Sequence, residues 1–543
     1  MEAVYWYVKL RTMAEHEYDT IVVGGGIAGL TATTYLARAG QKVLLLEKNS
    51  GCGGLVNTFS RDGFHFDAGV RALLDAGIIF SMLKDLNINM EVVKSPVSVG
   101  IENEVLHIRD LDSLTEYSDL LKRLYHGCES DIDEVMRIIR KIMKHMDVLY
   151  GIENPVFKDL KRDLPFVFKK ILPWFPRFIL TVSKINRMNT PVEDYLKTIV
   201  RDPSLRDIIS QHFFRNTPAF FALSYFSLYL DYFYPLGGVG TLAEALRKKA
   251  EELGGEIRNE TMITAINPAG RFVVDAENIR YGYRNLIWAA DLKRLYMTTE
   301  TESLSPETRA KIEETRAVML DNRGGDSVFS LFLEVDEPPE SFSKIAHGHF
   351  FYTPSRQGLG ETHLQELTDL LARFREAGRT EILAWLDRFT RLNTYEISIP
   401  VLKDPEMAPP GKTGVIISLL AEYDLFRKIE EAGWLDEFIR ELEDRMLKVI
   451  SASIYPMLKD KVIARFSFTP LSIEKRVGSS EGGITGWAFR DEMPVINKIQ
   501  IADRAVLTPI PSVYQAGQWT YSPGGVPMSV LTGKLAADRV LKN

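Results

Sequence analysis

Residues 18–48 read YDTIVVGGGIAGLTATTYLARAGQKVLLLEK, and the order of residue types in this stretch decides the fold class. Residues 18–23 are a short, apolar, β-branched run that stops at three glycines, which predicts a strand. Ile27–Arg38 carries Ala, Leu and Thr at helical spacing and gives out at Gly40, a C-terminal helix signal. Val43–Leu46 is uninterrupted apolar sequence, as in a parallel strand buried on both faces. Strand, glycine turn, helix and strand within thirty residues make a βαβ unit. An α/β fold with a Rossmann-like domain follows.

Gly24, Gly26 and Gly29 form G-x-G-x-x-G in the context that the motif requires, after a strand and opening a helix. The first glycine permits a tight turn, the second lets backbone approach a pyrophosphate, and the third allows close helix–strand packing. Ile27 and Ala28 then offer the free N–H groups and positive dipole end of a helix N-terminus to phosphate. Glu47, at the end of the second strand, can accept hydrogen bonds from both ribose hydroxyls and repels a 2′-phosphate. Lys48 follows it, and a second pair, Gly53 and Gly54, then Ala68 and Gly69, lies beyond. A further backbone segment near the pyrophosphate suits FAD buried lengthwise better than a dissociable nicotinamide. At the other end of the chain, Gly524 and Gly525 precede a helix expected from Val526, with Pro527 in its first turn. Such a terminus stabilises the negative charge of a reduced flavin.

The 543 residues are 45% hydrophobic and 26% charged, with 66 Lys and Arg against 73 Asp and Glu. This is an ordinary globular composition, and the net charge of −7 gives no reason to expect nucleic-acid binding. Two cysteines, Cys52 and Cys128, cannot build a disulfide framework or a zinc cluster and fit a reducing, cytoplasmic setting. No run is apolar enough for a membrane-spanning helix. Residues 1–17 read as a loose leader, with Met13 an alternative start. Residues 18–82, 235–300 and 481–543 read as three segments of one FAD-binding domain. Between them, residues 83–234 form the helical part, and 301–480 a second part, of an inserted α+β substrate domain.

The run from Asp19 to Gly69, with GG at 53–54 and GFHFDAG at 63–69, resembles flavoproteins of the phytoene desaturase, carotenoid isomerase and retinol saturase group, part of the amine-oxidase-like superfamily. The resemblance returns at Pro235–Gly238 and Met262–Thr264, at 399–409, and at Tyr514–Gly517 and Ser522–Pro527. It implies an FAD-dependent oxidoreductase in which Ile263 lies by the adenine and Gly517 and Gln518 close over the flavin. The implied chemistry is hydride exchange between flavin N5 and a carbon of a hydrophobic isoprenoid or polyene, as desaturation, saturation or isomerisation, with quinone or oxygen as electron acceptor. Amine oxidation on the same fold is the alternative, and a non-catalytic flavin- or lipid-binding protein is a third reading. The chain departs from the group's pattern at Leu55, where arginine is common, and at Gln518, where relatives often carry an acid. Arg71, after Ala68-Gly69-Val70, is the candidate active-site side chain. A cation there weighs against a carotenoid.

Ten aromatic residues crowd 213–234, a composition that suits either a polyene wall or a packed helical core. Residues 161–182 interleave Phe, Trp, Leu and Ile with Lys161, Arg162, Lys169, Lys170 and Arg177, as a peripheral membrane contact would. Pro165, Pro173 and Pro176 predict short helical pieces there. His347 and His349 share a strand face near His363, but no cysteine or spaced carboxylate accompanies them, so no metal is expected.

Overall fold

Apolar runs from three distant parts of the chain meet in one sheet. The computed structural model describes residues 16–360, 362–490 and 492–542. Strands Glu256–Arg258, Val43–Leu46, His16–Val23, Arg280–Trp288 and Val513–Gln515 lie side by side and run parallel. The antiparallel hairpin Ile263–Asn267/Phe272–Asp275 flanks the first half of Arg280–Trp288. Because the five strands share one direction, the residues that follow them gather along one edge: Gly24, Glu47, Ala289 and Ala516. That carboxyl edge is where open α/β sheets bind ligands.

Helix Ile27–Arg38 is buried from Ile27 to Ala37. It packs between helices Gly240–Glu252 and Val526–Lys542. Small residues make this closeness possible: a Cβ on Gly533 would lie 2.4 Å from the Ala28 carbonyl oxygen.

The second sheet has the order Val462–Phe468, Ser327–Val335, Thr413–Ala421, Tyr395–Ser398, His349–Thr353, Val97–Ile101, Glu104–Ile108. It is antiparallel except between His349–Thr353 and Val97–Ile101. Helices Ser113–Leu124 and Glu129–Tyr150 supply a separate helical core with the segments up to Tyr229.

The structure departs from the sequence reading in four places. Most of the expected leader lies outside the described residues, but the first strand begins at His16 because it pairs with Tyr281. The stretch 83–234 is not purely helical: Val97–Ile101 and Glu104–Ile108 form a hairpin edge of the second sheet. Its turn places Glu102 at φ +55°, without the Asn-Gly or Asp-Gly pair that usually advertises such a turn. Helix Pro306–Asp321 buries Ile312 and Met319 with Ile21 and Leu286 against the parallel sheet, so a boundary at 300 falls too early. Finally, 164–185 does not break at its prolines. Leu164–Phe166, a π-helical turn at Val167–Ile171 and Leu172–Ile185 follow one another without a gap. Pro165 falls in a first turn, where the missing N–H costs nothing, and the wide turn at Val167–Ile171 resets the register before Pro173. Only Pro176 of the three sits inside the helix.

Candidate active site

At the carboxyl edge the three glycines do different things. Gly24 has φ +105°, and a Cβ there would lie 2.7 Å from the Ala289 carbonyl oxygen. A Cβ on Gly29 would lie 1.9 Å from the Gly24 carbonyl oxygen. Both are glycine because the protein itself leaves no room. A Cβ on Gly26 would meet nothing within 4 Å, and helix Ile27–Arg38 has no side-chain cap there. The open space before Gly26, with uncapped N–H groups at Ile27 and Ala28, is room for an anion. Gly53 donates its N–H to the Gly25 carbonyl at 2.8 Å, and Gly54 lies against Gly26. The second glycine pair therefore does reach the first turn.

Glu47 is buried. Its Oε2 accepts from the Gly25 N–H at 2.7 Å, and its Oε1 accepts from the Asn49 backbone and side-chain amides at 2.9 and 2.8 Å. Thr261 donates to the Glu47 carbonyl, which brings the strand beginning at Ile263 alongside. Lys48 instead donates to the Lys475 carbonyl at 3.1 Å, at the C-terminal end of helix Pro470–Val477; burial lowers its pKa.

The remaining expected residues converge from both ends of the chain. Val70 donates to the Leu55 carbonyl at 3.1 Å and Ala68 to Asn57 at 2.8 Å; a Cβ on Gly69 would strike Leu55. Gly517 donates to Thr532 Oγ1 at 2.9 Å, and a Cβ on it would touch Ala28. Gly524 is crowded by the carbonyl oxygens of Thr485 and Gln518, whereas Gly525 opens to space, with Pro527 Cδ at 3.9 Å from its Cβ position. Leu55, residues 68–71 and residues 524–527 line one cavity of about 650 Å³.

The far side of this cavity is apolar. Trp174, Phe178, Val182 and Ile185, one face of the 172–185 helix, line it, with Phe214, Phe220, Phe221, Tyr225 and Tyr232. Phe213, Phe226 and Tyr229 pack into the helical core instead. The aromatic stretch thus serves both purposes that its composition allowed.

One group of polar side chains lining the cavity, Arg71, Ser418, Glu396 and His349, gathers on the second sheet. Arg71 is 4% exposed and donates to the Asp67 carbonyl, to Ser330 Oγ at 3.1 Å and to Ser418 Oγ at 3.2 Å. Its charge is thus tied down and does not project bare among apolar groups, which removes the objection to a polyene. Asp67 accepts from Thr58 at 2.8 Å, from Tyr234 at 2.8 Å and from the Val239 N–H at 3.0 Å. Lys403 donates to the Arg71 carbonyl and to Ser398 Oγ, both at 2.9 Å. Burial first, and then Arg71, pull the Lys403 pKa down to about 8 against the opposing charges of Asp67 and Glu396.

Glu396 and His349 complete this cluster, joined Oε1 to Nε2 at 2.9 Å. Both were missed in the sequence. The sequence weighed His349 only for a metal site, and set that aside; in the fold the three histidines part company, His347 packing on His107 and His363 stacking on Trp385. Among the described residues no group of His, Cys, Asp and Glu could hold a metal ion. The readable signal for Glu396 was a lone acid in the buried strand Tyr395–Ser398.

The open space in front of Gly26 and that in front of Gly525 suit an elongated ligand with a pyrophosphate at its middle and a flat ring at one end. FAD has that form, and a flavin-dependent oxidoreductase is the class this defines. The chain belongs to the flavin containing amine oxidoreductase family, whose model matches residues 27–541, and its cofactor is FAD. It is similar to the all-trans-retinol 13,14-reductase of Danio rerio, 23% identical over 576 residues, covering 98% of this chain and 87% of the relative. It is equally similar to the carotenoid 3,4-desaturase of Haloarcula japonica, 23% identical over 542 residues, covering 97% and 98%. Among solved structures, an oxidoreductase from Methanosarcina mazei shares the fold, with a TM-score of 0.59 at 15% identity over 96% of this chain and 100% of that one.

Proposed function

We propose that the protein exchanges hydride between its flavin and a carbon of an isoprenoid polyene. The cavity carries this reading: it runs from the glycine turns at 68–69 and 524–525 to a wall of Trp, Phe and Tyr. Such a wall binds a long apolar chain by contact area and has few groups to pair with a small polar molecule. Bound FAD supplies a two-electron hydride acceptor or donor. The protein's own part is to hold the chain against the ring and keep water out. An amine in the cavity would lie beside the Arg71 cation, which favours the polyene. The similarity to retinol- and carotenoid-converting relatives supports the same substrate class. Electrons leave to a quinone or to oxygen.

The substrate comes from a membrane, on this reading. The helix that walls the cavity with Trp174 and Phe178 turns Phe168, Leu172, Phe175 and Ile179 outward, 63%, 54%, 52% and 45% exposed. Lys161, Arg162, Lys169, Lys170 and Arg177 flank that stripe and are exposed. An apolar stripe between basic residues suits the surface of an anionic bilayer, at which the helix would lie flat. No helix among the described residues is long and apolar enough to cross a membrane. Two unpaired cysteines support a cytoplasmic-side location.

The test is anaerobic mixing of holoprotein with phytoene or all-trans-retinol in liposomes, following the visible flavin bands. Oxidised flavin bleaches with phytoene, or dithionite-reduced flavin recolours with retinol. Flavin indifferent to both, but bleached by a primary amine, would refute the polyene reading.

A further inference from the structure

The second sheet is apolar along most of its strands, but one row across it is not. Ser330 pairs with Ser418, Ser418 with Glu396, and Glu396 with Phe351, so their side chains share one face. Ser330 Oγ and Ser418 Oγ lie 2.8 Å apart, and Arg71 donates to both. Ser418, Glu396 and His349 all line the cavity that residues 524–527 also line. His349 sits on the neighbouring strand and is 2% exposed. Tyr232 stacks on its ring with centroids 5.2 Å apart. Its Nε2 meets Glu396, and its Nδ1 is buried with no hydrogen-bond partner.

A carboxylate placed in an apolar sheet face needs partners, and here two cations and a histidine gather round it and keep it ionised at the cavity wall. Packing does not explain it, since its side chain keeps 34% of its surface open while lining the cavity. The cavity's other acid, Asp503, is ion-paired with Arg539 and half exposed. Lys403, another buried group able to move a proton, is bonded to Arg71 and Ser398 and does not line the cavity.

We propose that Glu396 is the acid–base group of the cavity, exchanging a proton directly with the substrate chain, and that His349 is the residue that positions it. In the dehydrogenating direction Glu396 takes the proton of one C–H bond. The electron pair of that bond becomes the new π bond as the neighbouring carbon gives up hydride to the flavin. The substrate loses two electrons and two hydrogens, one as hydride and one as the proton on Glu396. In the saturating direction Glu396 returns the proton. Arg71, Lys403, His349, Tyr225 and Tyr232 face the carboxyl group. Burial raises its pKa, but the His349 hydrogen bond and the charges of His349, Arg71 and Lys403 outweigh that and leave it below the usual range. The resting carboxylate is ionised and ready to accept.

This rests on the polyene reading, so two measurements are combined. First, Glu396→Gln should keep its FAD content, visible spectrum and phytoene affinity, while flavin reduction by phytoene slows by about 10²–10⁴-fold, the range for a lost acid–base group. Glu396→Asp should recover part of the rate, and His349→Asn should shift the pH profile of reduction without loss of FAD. Second, squalene monoepoxide, an apolar chain with an electrophilic end, should esterify a carboxylate held against the chain. Peptide mass mapping should find the adduct on Glu396 in wild type and none in Glu396→Gln. Wild-type reduction rates in Glu396→Gln, or a loss of affinity that accounts for the slower rate, would overturn the proposal. If wild type turns over no polyene, the substrate reading has failed, and the epoxide decides alone: no adduct at 396 overturns the proposal too.

Discussion

The first turn at the nucleotide edge is built from backbone atoms of one continuous stretch, whereas the polar row is made of side chains brought together from separate strands. Gly24, Gly26 and Gly29 sit within six residues and owe their places to one strand–helix turn. Ser330 and Ser418 are 88 residues apart, and Arg71 reaches them from 259 and 347 residues away. The first construction is rigid because no rotamer enters it. The second depends on every partner being present, since a buried polar cluster with one member missing leaves the others unsatisfied. The two regions should therefore fail differently when disturbed.

The largest contrast lies inside the first region. Gly29→Ala forces a methyl group to within 1.9 Å of a backbone oxygen that cannot move without shifting the strand. It should cost about 3 kcal/mol or more, enough to lose soluble holoprotein. Gly26→Ala meets open space at φ −70° and should leave the melting temperature of the apoprotein unchanged. Its FAD affinity should nevertheless fall at least roughly tenfold, because the methyl group takes the pyrophosphate's room. Thermal scans of apo and FAD-loaded protein separate the two. If Gly26→Ala binds FAD normally, the open space there is not the cofactor's.

The polar region should answer to pH. Lys403 is held at about 8 when folded, against an ordinary 10.5. Between those values the unfolded chain carries the extra proton, so this group makes stability rise with pH from about 8 to 10.5. Below 8 the whole penalty is present, on the order of 3 kcal/mol. Lys403→Met removes the titrating group, so denaturation midpoints of wild type and variant should converge as pH rises through that window. Parallel midpoints would mean that Lys403 stays protonated in the fold.

Arg71→Ala should cost about 1–3 kcal/mol by leaving the Asp67 carbonyl and two serines without their donor. Lysine should not rescue it, because a point charge cannot span three acceptors as a planar fork does. A shift in the pH profile of flavin reduction would show that Arg71 acts through Glu396. Full stability in Arg71→Ala would remove it from the cluster.

This contrast also explains what was legible. The helix Ile27–Arg38 and the strand Val43–Leu46 could be read to the residue, because their signals are local: periodicity, continuous burial and a glycine stop. Gly53, Gly54, Gly69 and Gly525 were legible for the same reason, as turns that permit close backbone approach. Glu396 and Lys403 were not, since only strand register and a 3₁₀ turn at Pro400–Leu402 bring them beside Arg71. The hairpin at 97–108 escaped notice because its turn lacks glycine at Glu102. Pro173 was misread because a proline's effect depends on whether the turn before it is α or π.

The smallest expected effect on stability comes from the helix over the cavity, where adjacent residues face opposite ways. Trp174 donates its indole N–H to the Val148 carbonyl at 2.5 Å and lines the cavity. Phe175, next to it, is 52% exposed. Trp174→Ala should lower the melting temperature and weaken phytoene binding, while leaving association with anionic liposomes intact. Phe175→Ser should change stability by no more than about 0.5 kcal/mol, as exposed substitutions do. Its liposome association should weaken measurably, and more so together with Leu172→Ser, since each removes apolar area that the bilayer would cover. Flotation on phosphatidylserine vesicles reads this directly. Salt should weaken flotation of wild type through its basic flank without restoring the difference between variants, because screening acts on charge and leaves buried area alone. If the double serine variant floats like wild type, the outward stripe is not the docking face, and the helix is only the inner wall of the cavity.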